Sequence, residues 1–157
     1  MTLKESIGKR GPFNSLEEHA YLALRRATWN VTTKVAAVYE SGGFTASQYN
    51  VLRILRGHHP VRLTASNIGS MMVSRDSDLT RILTDLQKRR LVSRSRCTKD
   101  RRHVWVDITE HGLANLKALD EPVVAAIRSA FDLLDAEKLG ELTRLLEPLC
   151  DRQPEST

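Results

Sequence analysis

Two hydrophobic periods follow each other in the middle of this chain, and they restrict its fold more than any other feature. Leu79, Ile82, Leu83 and Leu86 fall at i, i+3, i+4 and i+7, the spacing of one buried helix stripe. Farther on, Val104, Val106 and Ile108 alternate with His103, Trp105 and Asp107, the period of a strand with one face inside. Ser93-Arg-Ser-Arg-Cys97 precedes this stretch, and Thr98-Lys-Asp-Arg-Arg102 lies between the two. The pattern predicts two antiparallel strands joined by a basic tip, a wing beside a helix.

The rest of the chain reads as helices. Residues 1–14, with Gly8, Gly11 and Pro12, read as a short flexible lead-in. Ser15-Leu-Glu-Glu18 is a capping box, and apolar residues from Leu16 to Val38 keep helical spacing to about Tyr39. Gly42-Gly43 ends that helix. Thr45-Ala-Ser-Gln48 opens a second one to about Arg56, and Gly57-His-His-Pro60 breaks the chain. Thr64 caps a short helix over residues 65–72, and a tight turn leads into a longer helix over about 75–89. That pair is a helix-turn-helix, whose second helix is the usual major-groove reader. Thr109 caps a helix to about Phe131, which Pro122 should kink or interrupt. Asp135 caps a last helix with Leu139, Leu142, Leu145, Leu146 and Leu149 along one side.

Charge points the same way. Residues 53–103 hold thirteen Lys or Arg against four acids, a net +9, while residues 104–157 net −6. A basic middle segment is the electrostatic footprint of a protein that neutralises phosphates. At 5% aromatic residues, the chain has few rings on which single-stranded bases could stack. Apolar runs stay well short of the ~20 residues needed to cross a bilayer. The first residues lack the apolar core of a secretory signal. A cytoplasmic protein with reduced thiols at Cys97 and Cys150 is therefore expected.

Several pieces in register resemble the MarR family of bacterial winged-helix transcription regulators. They run from Thr45-Ala-Ser-Gln-Tyr-Asn-Val-Leu52 through Ser74-Arg75, Leu79-Thr80-Arg81 and Leu86-Gln-Lys-Arg-Arg-Leu-Val92. They continue with Asp100-Arg-Arg102, Val106-Asp-Ile-Thr109 and Gly112. Arg90 stands where the family usually has a glycine that ends the recognition helix. The resemblance implies a mainly α fold with a small β-hairpin wing, as one domain over residues 1–157. Residues 15–40 and 110–151 would form dimerisation helices, and residues 45–109 the winged helix-turn-helix lobe. It further implies a homodimer, a nucleoid-associated role on double-stranded DNA, repression of a nearby operator, and a cleft that takes small aromatic acids.

The candidate DNA-binding residues follow. On the second helix of the pair they are Ser74, Arg75, Ser77, Thr80, Arg81, Thr84 and Lys88. Arginine pairs bidentately with guanine, and short hydroxyls serve several acceptors. Asp76 and Asp78 would repel phosphates, so they should complement the helix dipole or orient an arginine. In the wing, Arg94, Arg96 and Lys99 should face phosphates, and Arg101 and Arg102 could enter a narrow minor groove. The resemblance favours Arg102, with Asp100 orienting the wing tip. Arg25, Trp29, Tyr49 and Arg53 could line the ligand cleft, or Trp29 and Tyr49 could be core or dimer-interface residues.

Other classes find less support. The five histidines and Cys97 show no helical or strand ligand spacing for a metal, so no metal or cofactor is expected. Cys97, between Arg96 and Lys99, could be redox-active. There is no nucleophile–base pair, phosphate loop or paired carboxylate motif to support an enzyme. An architectural or partner-dependent DNA binder without a small-molecule effector remains the alternative to a sequence-specific regulator.

Overall fold

The computed structural model describes residues 2–73, 78–96 and 104–150. In chain order the elements are α1 (Leu3–Ser6), α2 (Leu16–Ser41), α3 (Ala46–His58), β1 (Leu63–Thr64), α4 (Ala65–Met71), α5 (Leu79–Lys88), β2 (Val92–Arg96), β3 (Val104–Ile108), α6 (Glu110–Ala130) and α7 (Ala136–Cys150). The expected fold class holds: mainly α, with a winged helix-turn-helix and a small sheet.

The caps show why the helices start where they do. The Thr45 hydroxyl accepts from the Gln48 amide at 3.2 Å, and the Gln48 side chain accepts from the Thr45 amide at 3.1 Å. Thr64 and Asn67 close the same reciprocal pair ahead of α4. Asp135 accepts from the Lys138 amide at 2.9 Å ahead of α7. Hydrogen bonds from Lys138 hold the Asp135 carboxyl below its ordinary pKa. At α2 half of the expected box forms. Ser15 accepts from the Glu18 amide, but the Glu18 carboxylate reaches back to the Asn14 amide instead of that of Ser15.

Three expectations need correction. The lead-in is not featureless: α1 forms behind its own Thr2–Glu5 capping box, and Phe13 stacks on His19 with ring centres 4.0 Å apart. A helix of four residues has no hydrophobic period by which to announce itself. Second, α3 continues past Arg56 and through Gly57 to His58. Third, of the kink or interruption expected at Pro122, the interruption does not occur: α6 runs on from Glu110 to Ala130. Its buried residues lie on both sides of the proline, at Leu116, Leu119 and Val123, and this packing holds the helix together across one missing donor.

The sheet order is β1-β3-β2, antiparallel throughout. Strand β1, two residues long, pairs Leu63 with Val106 and was not foreseen. The hairpin pairs Val92 with Ile108 and Arg94 with Val106. One core serves helices and sheet together: Val51, Leu52, Leu55, Ile68, Leu83, Leu86, Leu91, Val106 and Leu116 are almost wholly buried. Helix α2 packs on α6, yet Val35 is its one buried residue, and α7 has none.

Candidate nucleic-acid interface

Helix α5 has two chemically distinct sides. Ile82, Leu83 and Leu86 are buried. Thr80, Arg81 and Lys88 on the other side are exposed, and Thr84 is half-buried. The inner stripe therefore fixes which side chains face outward. The Thr84 hydroxyl donates to the Thr80 carbonyl at 2.8 Å. Asp78 makes no cap hydrogen bond with its side chain; its carboxylate instead pairs with the Arg81 Nε. This acid orients an arginine, one of the two roles foreseen for it. Ser74, Arg75, Asp76 and Ser77 lie outside the described residues.

The junction after α5 explains two sequence features. Arg90 has φ +58°, in the left-handed region. The Arg90 amide donates to the Gln87 carbonyl at 2.9 Å, and the Leu91 amide donates to the Leu86 carbonyl at 3.0 Å. These two bonds make a Schellman cap, with Leu91 and Leu86 as its apolar contact. Arginine thus occupies the position that favours glycine, and the cap geometry forms all the same. Next, the Leu91 carbonyl accepts from the Thr109 amide at 3.1 Å and from the Thr109 hydroxyl at 3.1 Å. That hydroxyl shares its single proton between the Leu91 carbonyl and the Arg90 carbonyl, the latter at 2.7 Å, and accepts from the Gly112 amide at 3.0 Å. A Cβ at Gly112 would lie 2.3 Å from the Leu91 carbonyl oxygen. The Thr109-x-x-Gly112 motif therefore fastens the end of α5 and the start of β2 onto α6.

On the wing, Arg96 is exposed, whereas Arg94 is half-buried on the face it shares with Val106. Lys99, Asp100, Arg101, Arg102 and Cys97 lie outside the described residues. Two residues near this surface were missed. Arg62, exposed just before β1, donates to the Ser95 hydroxyl at 3.5 Å; its place in the basic block was the available signal. Asn50 accepts from the Val73 amide at 3.1 Å and so steadies the turn toward α5. A single Asn inside a helix gave no signal for this.

The four candidate ligand residues do not gather at one point. Tyr49 is buried and stacks on Tyr39, with ring centres 4.2 Å apart. Burial raises the pKa of the Tyr39 phenol, Tyr49 adds to this, and nearby Arg53 opposes it. Trp29 is 58% exposed and lies ten residues before Tyr39 on the same helix, about 15 Å along its axis at 1.5 Å per residue. Arg25 is exposed and donates to the Tyr21 hydroxyl at 3.3 Å. Arg53 instead lines an open cavity of about 590 Å³ with Ile54, Arg56, Gly57 and His58. Beside it Arg56 binds both oxygens of Asp120 at 2.8 and 3.0 Å, a tie between α3 and α6. Among the described residues, no three His, Cys, Asp or Glu side chains gather as a metal ion would require, and no helix is long and apolar enough to cross a membrane.

The sequence model of the MarR family matches residues 44–104, from just before α3 to the first residue of β3. A MarR transcription factor from Planctomyces limnophilus is 36% identical over 87% of this chain and 98% of its own, with a TM-score of 0.69. The chain belongs to the MarR family. Two further structures share the fold across nearly the whole length. AbsC, a MarR family transcriptional regulator from Streptomyces coelicolor, is 26% identical over 90% of this chain and 97% of its own, with a TM-score of 0.79. BpsR from Bordetella bronchiseptica is 24% identical over 91% of this chain and all of its own, with a TM-score of 0.78. No curated protein sequence matches the chain. As a member of the MarR family, the protein is a DNA-binding transcription regulator of the winged-helix type.

Proposed function

We propose that this MarR protein acts as a homodimer that reads an inverted-repeat operator and represses transcription from it. The outward face of α5 carries this reading. Thr80, Arg81, Thr84 and Lys88 lie opposite a fully apolar buried stripe, so the helix can enter a major groove without disturbing the core. Ser74, Arg75 and Ser77 would extend that surface toward the start of the helix. Arg96, Lys99, Arg101 and Arg102 would meet the backbone and the minor groove, with Asp100 orienting the tip.

The dimer is supported by apolar surface that the protomer leaves open. Leu133 is 92% exposed, Leu16 79%, Leu145 61%, and Trp29 and Leu149 each 58%. These residues lie on α2 and α7 or just before α7, the terminal parts of the chain. A second copy is the simplest cover, because a two-fold interface closes on itself. Trp29 then belongs to the interface, the alternative foreseen for it.

Release by a small aromatic acid completes the proposal. The cavity lined by Arg53 offers a guanidinium for a carboxylate. The DNA binding of BpsR, which shares this fold, is regulated by 6-hydroxynicotinic acid. Light scattering with an anisotropy titration on operator DNA tests the proposal. A dimer that binds one duplex per two chains is expected; a monomer at micromolar concentration would contradict it. In the same assay, failure of a panel of aromatic acids to release DNA below millimolar concentration would remove the ligand and leave the rest.

A further inference from the structure

Arg89 belongs to the basic segment, where its charge would suggest a phosphate contact. Its side chain is engaged elsewhere. From the C-cap of α5 it donates Nη1 to the Gly43 carbonyl at 2.8 Å, across forty-six positions of sequence. Its guanidinium carbon lies 4.6 Å from the centre of the Phe44 ring. Phe44 is 2% exposed, so this ring is a fixed part of the core.

The turn that Arg89 grips is itself tightly held. The Phe44 amide donates to the Tyr39 carbonyl at 2.9 Å, and Gly43 has φ +76°. A Cβ at Gly42 would meet the Leu119 side chain of α6 at 2.8 Å. The α2–α3 turn is thus wedged between α6 on one side and Arg89 on the other. A guanidinium suits this place because it donates in its plane while its flat face lies on a ring, a geometry that a compact ammonium does not reproduce.

We infer that Arg89 is a positioning residue for DNA recognition: it locks the C-terminal end of α5 to the turn joining α2 and α3, and so fixes the angle at which α5 is presented relative to the long helix α2. This rests on α5 being the DNA-reading helix of a dimer whose protomers meet through α2. In such a dimer, rotation of α5 about that turn changes the separation of the two recognition helices, and a major-groove reader tolerates little error in that separation.

The test compares Arg89→Lys and Arg89→Ala with Lys88→Ala as the phosphate-contact standard. Both Arg89 variants should bind the operator roughly tenfold more weakly with the parent's salt slope, because no counterion release is lost. Both should discriminate less than the parent between the operator and a version with one base pair inserted between half-sites. A phosphate contact would instead be rescued by lysine and would flatten the slope of the Ala variant by about one. That result, or parental affinity and spacing preference in both variants, overturns the inference. A DNA-free measurement separates this from any failure of the DNA reading. A thermal-melt double-mutant cycle between Arg89→Met and Phe44→Leu should show coupling; additive effects would show that the clamp does not exist.

Discussion

Replacing Gly112 with Ala probes the joint that holds the winged lobe on α6. By helix propensity alone the change should stabilise α6 by about 1 kcal/mol. The structure reverses that sign. The new methyl would sit 2.3 Å from the Leu91 carbonyl oxygen and 2.8 Å from Ile108 Cγ1, and the first of these is backbone. Relief requires α6 to move away from β2 by about 1 Å, an overpacking cost of roughly 1–3 kcal/mol. Alternatively the Leu91 carbonyl turns aside and gives up its two hydrogen bonds from Thr109, each worth about 0.5–1.5 kcal/mol. After the propensity gain is subtracted, the net expectation is a loss of about 1 kcal/mol, or roughly 2–4 °C in Tm for a chain of this size. Urea melts at fixed protein concentration should show a lower midpoint with an unchanged slope. Gly57→Ala is the control, since nothing lies within 4 Å of its Cβ; it should be neutral or slightly stabilising. If Gly112→Ala melts with the parent or above it, the close approach of α6 to Leu91 is wrong.

Three further outcomes are expected. Arg90→Gly should stabilise by up to about 1 kcal/mol, because it relieves a left-handed residue, and Arg90→Ala should not; equal melts for the two would refute the Schellman cap. Lys88→Ala should weaken binding to all duplexes about equally and flatten the salt slope by about one, whereas Arg81→Ala should relax base preference at particular positions; identical sequence profiles for the two would undo that division. Leu145→Glu combined with Leu149→Glu should shift the protein toward monomer in light scattering, since both leucines are exposed in the protomer; an intact dimer would place the interface elsewhere.

The elements that could be read from the sequence are those whose own residues decide them. The stripe of Leu79, Ile82, Leu83 and Leu86 is buried as its spacing requires, and Val106 and Ile108 are buried as their alternation requires. The Thr45, Thr64 and Thr109 caps needed a few adjacent residues each. What escaped depends on distant partners or on very short segments. Strand β1 exists because Leu63 meets Val106, and two residues carry no period. Of the kink or interruption expected at Pro122, the interruption does not occur, because burial of Leu116, Leu119 and Val123 outweighs one lost hydrogen bond. The grip of Arg89 on Gly43 was hidden because, in sequence, the arginine is one more charge in a basic run. Trp29 and Tyr49 were grouped because the first two long helices help to wall the cleft in relatives; Trp29 lies about 15 Å along α2 from the Tyr39 ring on which Tyr49 stacks.

Two copies of α5 are proposed to read DNA as a symmetric pair. Selection of bound duplexes from a random pool, followed by footprinting of the enriched sequence, tests it most directly. The expected result is an imperfect inverted repeat whose half-sites lie about one helical turn apart, roughly 34–36 Å centre to centre, with both halves protected at the same protein concentration. An enriched pool that holds a single unsymmetric half-site, or no shared sequence at all, would contradict it.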